Sequence, residues 1–267
     1  MPTQLTPPTS SPSQIQLSSA HRLTADTALF LDFDGTLVEI ASHPQAVRIP
    51  PRLRDTLFAL QQQLGGALAL VSGRRLPDLD GFLAPLQLPS AVEHGALRRD
   101  AAGRMSSAPA VRIEPVLQAA QALVAQHPAL LLEQKNWGLS LHYRHAPELE
   151  TLCLREMRAA QAHSPGLVLM QGKYVIDLRP AGVSKGTAIA AFMGEAPFAS
   201  RVPVFVGDDV TDEDGFEQVL RMGGQAIKVG SGPSRAGLRC DSVAHLSAWL
   251  EASAASLADA HLERFSR

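Results

Sequence analysis

Two aspartates, Asp32 and Asp34, stand directly after the apolar run Ala28-Leu29-Phe30-Leu31, and Gly35 and Thr36 follow at once. Carboxylates at the end of a buried strand are unfavourable unless something stabilises them. A second acidic pair, Asp208 and Asp209, follows the run Val202 to Gly207 and leads into Val210-Thr211-Asp212-Glu213. Gathered on one edge, these carboxylates would repel and raise one another's pKa values. A hard divalent cation relieves the repulsion. Oxygen-only donors favour Mg²⁺ over zinc, and Mg²⁺ takes one or two carboxylates, waters and a substrate phosphate. Lys185, Ser72 and Thr36, with Gly73 beside Ser72, supply what a bare acidic site lacks: a place for the oxygens of a transferring phosphoryl group. An aspartate can be the nucleophile through an aspartyl-phosphate. A second carboxylate two residues on can protonate the leaving oxygen and then deprotonate the attacking water. Asp32 and Asp34 are spaced for these two tasks.

Such groups act together only if the fold brings them to one edge. Ala28 to Phe33 reads as a buried strand. Arg52 to Leu64 places Leu53, Leu57, Leu60 and Leu64 on one helical stripe, and Ala67 to Val71 is a second buried strand. A short helix over Pro77 to Leu86 and a short strand over Ala91 to Glu93 follow. This alternation predicts a parallel sheet covered on both faces, with strand ends gathered where ligands bind. The rhythm changes near residue 108. A helix over 111–126, strands at 130–133 and 139–143 around the turn KNWG, a helix over 147–163 and strands at 167–171 and 174–178 form an α+β unit. The first rhythm resumes with a helix over 184–193, a strand over 202–207, a helix over 212–222, a strand over 225–229 and a closing segment over 243–250. The expected fold class is α/β: a Rossmann-like parallel sheet core, residues 28–107 and 179–267, with an inserted α+β cap at 108–178. Residues 1–27, rich in Pro, Ser, Thr and Gln, are expected to form a flexible tail.

Composition narrows the function classes. A chain that is 45% hydrophobic and 19% charged is not wholly disordered. A formal net charge of −2 provides no global basic field for nucleic acid or an anionic membrane, but it allows a small basic pocket for a phosphorylated metabolite. No apolar run approaches the ~20 residues that span a bilayer. The start lacks the features of a signal peptide. Cys153 and Cys240 are far apart and form no metal or redox motif. A cytoplasmic monomer is expected.

The order Asp-x-Asp-Gly-Thr, then Ser, then Lys, then Gly-Asp-Asp-x-x-Asp resembles the haloacid dehalogenase superfamily of aspartate-nucleophile phosphatases. The resemblance implies Asp32 as nucleophile and Asp34 as general acid/base. It implies Mg²⁺ held by the Asp32 carboxylate, the Asp34 backbone carbonyl and Asp208, with Asp209 close by, and phosphoryl oxygens bound by Ser72 and Lys185. GDDVTDEDGF (207–216), VEHGA (92–96), LHYRHAP (141–147) and GKYVIDLRPAGVSKGTAI (172–189) narrow it. They look like trehalose-6-phosphate phosphatases, from about residue 28 to about residue 250. In that family charged cap residues contact the sugar, and the matching positions are Glu133, Lys135, Arg144, Lys173 and Asp177. The family commonly has the longer Glu at the position of Asp177. A disaccharide is rich in hydroxyls, which charged groups bind through charge-assisted hydrogen bonds. A closing cap would also expel water.

Several residues admit two readings. Arg74 either binds substrate or pairs with a nearby acid. His94, in the EHGA match, reaches the site or is structural. Asp212 caps its helix or acts in the site. Trp137 and Tyr143 line a sugar platform or pack in the core. A small-molecule sugar phosphate is the partner expected. The function expected is Mg²⁺-dependent hydrolysis of trehalose 6-phosphate. Its alternatives are a phosphatase of sucrose 6-phosphate, mannosyl-3-phosphoglycerate or another sugar phosphate, a phosphomutase, and a non-catalytic sugar-phosphate sensor.

Overall fold

The computed structural model describes residues 14–41, 43–172 and 174–265. The chain begins with strands β1 (Ile15–Gln16) and β2 (Thr27–Leu31), then helix α1 (Leu53–Gln63), β3 (Leu68–Val71), α2 (Leu76–Leu83) and β4 (Ser90–Val92). β5 (Leu97–Arg99) and β6 (Met105–Ser107) follow. Next come α3 (Glu114–Gln126), β7 (Leu131–Gln134), β8 (Leu139–His142), α4 (Glu150–Gln161), β9 (Leu167–Gly172) and β10 (Val175–Pro180). The chain ends with α5 (Lys185–Met193), β11 (Val202–Gly207), α6 (Glu213–Arg221), β12 (Gln225–Val229), β13 (Leu238–Cys240) and α7 (Val243–Phe265).

Among the described residues, nine strands form one sheet in the order β1-β13-β12-β11-β2-β3-β4-β5-β6. Its strands pair in parallel from β1 to β4, and β5 and β6 are antiparallel. Every residue of β2 and β3 is buried, as expected of strands covered on both faces. Leu53, Leu57 and Leu60 of α1 pack in the same core. The chain winds from β2 outward to β4, then returns on the other side of β2 as β11. That reversal makes a crevice at the carboxyl ends of β2 and β11, where Asp32 and Asp208 begin their loops.

The second sheet is antiparallel, in the order β7-β8-β10-β9. Alternation along its strands sorts the side chains. Leu139 and Leu141 of β8 and Ile176 and Leu178 of β10 join Val116, Ala120, Cys153 and Met157 of α3 and α4 in a separate hydrophobic cluster. The opposite face carries Glu133, Ser140 and Asp177 in one cross-strand row, since Ser140 pairs with both of the others.

The sequence expectation differs in places. Residues 14–27 were grouped with a flexible tail, yet β1 pairs with β13 and Leu17 and Leu23 are buried. Pro- and Ser-rich composition masks the few apolar residues that anchor this edge. The β5–β6 hairpin, β13 and the length of α7 were also not expected. The helix over 147–163 is split into a 3₁₀ turn at Pro147–Leu149 and α4. Among the described residues no helix is long and apolar enough to cross a membrane.

Candidate active site

Asp32 follows β2 and is buried. Its Oδ1 accepts from Lys185 Nζ at 2.7 Å and its Oδ2 from Thr36 Oγ1 at 3.2 Å. Lys185 opens α5 behind Ser184, whose hydroxyl oxygen accepts from the Thr187 N–H. A cation at a helix N-terminus opposes the macrodipole, so other groups must hold it. Besides Asp32, Asp212 Oδ1 accepts from the same ammonium at 2.6 Å. Burial pulls Lys185 down, but Asp212 and Asp32 outweigh it and hold the ammonium well above the ordinary lysine value.

The acids remain in excess. Burial pushes the Asp32 carboxyl well up; Lys185 opposes this, and Asp212 and Asp208 add to it. Asp208 is pushed up to about 7, by burial first and then by Asp212, with Lys185 pulling the other way. Oxygens of Asp32, Asp208 and Asp212 lie within 4.8 Å of one another. Three carboxylates so close, with only oxygen donors, fit a hard cation. This cluster could hold a metal ion.

The expected set was Asp32, Asp34 and Asp208, and Asp212 is the addition. Asp212 directly precedes α6, but its side chain makes no capping hydrogen bond to that helix; its two oxygens serve other partners. Oδ1 meets Lys185, while Oδ2 accepts from the Asp208 and Asp209 N–H groups at 3.0 and 2.9 Å and shapes their turn. Two glycines let the acidic loops close. Gly35 has φ +77°, and a Cβ there would lie 2.0 Å from Asp208 Oδ2. A Cβ on Gly207 would lie 2.3 Å from the Asp212 carboxyl carbon. Asp209 accepts from the Val210 N–H at 2.7 Å and so caps the 3₁₀ turn after it.

Asp34 is gripped by a fork. Arg74 Nε donates to Oδ2 at 2.7 Å and Nη2 to Oδ1 at 2.6 Å. Pairing with an acid is therefore the Arg74 contact seen here, and the acid is the expected general acid/base. Ser72 is buried, its Oγ accepting from the Arg74 N–H at 3.2 Å. Gly73 leaves room for the His94 ring, which a Cβ would approach to 2.6 Å. Thr36 departs from its expected phosphate role. It is fully buried, and its hydroxyl points at Asp32, where it orients the carboxylate.

The polar row of the second sheet faces these groups. Asp177 Oδ1 accepts from Ser140 Oγ and lies 3.5 Å from Lys135 Nζ and 3.6 Å from His94 Nε2. Burial pushes Asp177 up, but Lys135, His94 and Ser140 outweigh it and hold the carboxyl far below its usual range. Burial likewise pushes Glu133 up, yet His142, 3.3 Å away, and Lys135 bring it down to about 2. His94 is pushed down by burial, with Asp177 opposing. Its buried ring nitrogens have no hydrogen-bond partner among the described residues, an arrangement a ligand hydroxyl would satisfy. The Arg144 guanidinium sits over the Tyr174 ring, 5.8 Å from its centroid. Lys173 lies outside the described residues. Tyr143 is buried in the second cluster, and the Trp137 indole donates to the Ala108 carbonyl at 3.1 Å.

One cavity of about 940 Å³ joins the two halves. Asp32, Asp34, Ser72, Gly73, Arg74, His94, Lys185, Asp208 and Asp209 line it from one side, and Glu133, Lys135, Arg144 and Asp177 from the other. Sequence reasoning missed Lys228, which lines the same cavity and donates to the Asp208 carbonyl. Its signal was a lysine inside the apolar strand QAIKV. His142 and Gln171, also in the wall, were not singled out either.

The doubly covered parallel sheet, its acidic edge and the inserted α+β unit together define a haloacid dehalogenase-like protein. A family model described as trehalose-phosphatase matches residues 30–242. The trehalose-6-phosphate phosphatase of Escherichia coli strain K12 is 41% identical over 237 residues, which cover 88% of this chain and 89% of that protein. The C-terminal domain of C. albicans trehalose-6-phosphate phosphatase has the same fold, with a TM-score of 0.77 at 22% identity over 86% of this chain and 92% of that one. A trehalose-6-phosphate phosphatase related protein superposes with a TM-score of 0.65 at 26% identity, over 84% of this chain and 95% of that one. The chain belongs to the trehalose-phosphatase family.

Proposed function

We propose that this chain hydrolyses trehalose 6-phosphate to trehalose and phosphate, with Mg²⁺ as its metal. The observation that carries the reading is the single cavity in which the Asp32 edge faces the row Glu133, Asp177 and Lys135. Asp32 attacks phosphorus, the bond from phosphorus to the sugar oxygen breaks, and the Asp34 carboxyl gives that oxygen its proton. Asp34 then takes a proton from water, the water attacks the aspartyl-phosphate, and phosphate leaves with Asp32 restored. Arg74 takes one lone pair of each Asp34 oxygen, which leaves the other free to serve the sugar oxygen. Lys185, Ser72 and Gly73 receive the phosphoryl oxygens.

The metal would be held by Asp32, the Asp34 carbonyl and Asp208, with Asp212 turning the Asp208 loop toward it. When bound, it supplies positive charge for the phosphoryl oxygens and lets the crowded carboxylates stay ionised. The segment 108–178 acts as a cap whose charged row reads the disaccharide. A site built on buried charged groups rejects a sugar that leaves them unpaired. The free, buried cysteines in separate clusters fit a cytoplasmic location.

A substrate panel tests this: trehalose 6-phosphate beside sucrose 6-phosphate, glucose 6-phosphate and mannosyl-3-phosphoglycerate, each with Mg²⁺ and with EDTA. Metal-dependent preference for trehalose 6-phosphate is expected. Preference for another member would move the substrate, and binding without turnover would favour a sensor.

A further inference from the structure

Glu93 directly follows β4 and is buried, yet it is absent from the reaction outlined above. Its Oε1 accepts from Asn136 Nδ2 at 3.0 Å and its Oε2 from the Trp137 backbone N–H at 3.1 Å. Both donors sit on the turn between β7 and β8. The main chain of the same residue faces the other way. The Glu93 N–H donates to the Arg74 carbonyl at 2.9 Å, and the next N–H, of His94, donates to the Ser72 carbonyl at 3.0 Å. One residue thus grips the hairpin tip with its side chain and the Ser72–Arg74 loop with its backbone.

The backbone there is unusual. Glu93, His94 and Gly95 have φ of 49°, 60° and 104° in succession. Left-handed conformations in non-glycine residues persist only where the surroundings fix them. Here they are fixed from both sides: a Cβ on Gly95 would lie 2.8 Å from the Ser184 carbonyl oxygen, at the start of the Lys185 helix. On the cap side, the Trp137 indole ties the tip to Ala108, where the chain enters the α+β unit. Lys135, on the same turn, carries the ammonium that faces Asp177.

We propose that Glu93 is a positioning residue that latches the β7–β8 tip to the Ser72–Arg74 loop, and so sets Lys135 and Asp177 against Asp32. This rests on the phosphatase reading for its effect on turnover, but not for its effect on the tip. Glu93→Gln removes the charge and turns an amide NH₂ toward a donor. KM for trehalose 6-phosphate should rise roughly tenfold, the worth of one lost charged hydrogen bond. Turnover of p-nitrophenyl phosphate, which has no sugar to place, should stay within about twofold.

The chain has 2 tryptophans, so Trp249→Phe leaves Trp137 as the sole reporter at the tip. In that background Glu93→Gln should increase acrylamide quenching of Trp137. Asn136→Ala should do the same, and the double variant should add little to either. Unchanged quenching, or an equal loss on both substrates, would overturn the latch. Should Glu93→Gln fail to fold, Asn136→Ala carries the same readouts from the cap side. If the unaltered protein does not hydrolyse trehalose 6-phosphate, the phosphatase reading falls, and the quenching measurement still decides on the latch.

Discussion

Lys185→Met would remove the ammonium and keep much of the side-chain length. The residue is 2% exposed and bridges Asp32 and Asp212, which are 4% and 0% exposed. Without it, buried carboxylates face one another and Asp208 with no cation between them. Removing one partner of a buried ion pair costs about 3–5 kcal/mol. At about 2–4 °C per kcal/mol for a chain near this size, the melting temperature should fall by roughly 6–20 °C. The sign with pH follows from the groups left behind. Lys185 is held above the ordinary lysine value, so its contribution is complete through the neutral range and is lost only in strong alkali. Asp32 and Asp208 have raised pKa values and can escape the repulsion by taking up protons. The deficit against the unaltered protein should therefore be smaller at pH 5 than at pH 8. Added Mg²⁺ should return part of it at pH 8. Thermal melts in EDTA and in Mg²⁺ at both pH values measure all of this. A melting temperature that does not move, or a deficit that is larger at pH 5, would refute the bridging role.

Other expectations follow from the same geometry. Asp32→Asn should abolish phosphate release while the far-ultraviolet circular dichroism stays native; retained turnover would unseat the nucleophile. Glu133→Ala should raise KM for trehalose 6-phosphate roughly tenfold, as expected for a charged hydrogen bond, and leave a small aryl phosphate nearly unaffected. Gly35→Ala must hold a left-handed residue at about 1–2 kcal/mol and push the Asp208 carboxylate aside, so activity should fall further than stability, read by assay and melt together. Asp208, raised to about 7, binds its proton more tightly in the fold than in the unfolded chain. Its contribution to metal-free stability is present at low pH and is lost as pH rises toward 7. The stabilisation gained from Mg²⁺ over EDTA should accordingly grow from pH 5 to pH 8.

What could be read from the sequence was what depends on local pattern. Continuous apolar runs ending in acids mark β2 and β11, and the alternation Leu139-Ser140-Leu141-His142 marks a strand with one wet face. Strands set by distant partners were hidden. β1 spans only Ile15–Gln16 and exists because β13 offers it an edge. The same holds for side chains whose role is a long-range contact. Asp212 looked like an N-cap because it stands at the start of a helix, yet its side chain makes no cap there, and its bond to Lys185 depends on how α5 packs. Thr36 follows the acidic motif closely in sequence, yet its hydroxyl faces Asp32 from within the core. Glu93 carries no local sign that a hairpin some forty residues on would dock on it.

The central claim is that the Asp32 carboxylate takes the phosphoryl group. Rapid acid quench during turnover of trehalose 6-phosphate with Mg²⁺, followed by mass spectrometry of the peptide carrying Asp32, tests it most directly. The account predicts a phosphoryl group on Asp32 in the unaltered protein and none in Asp32→Asn, which should also release no phosphate. Turnover that persists in Asp32→Asn, or a phosphoryl group carried on another residue, would contradict it.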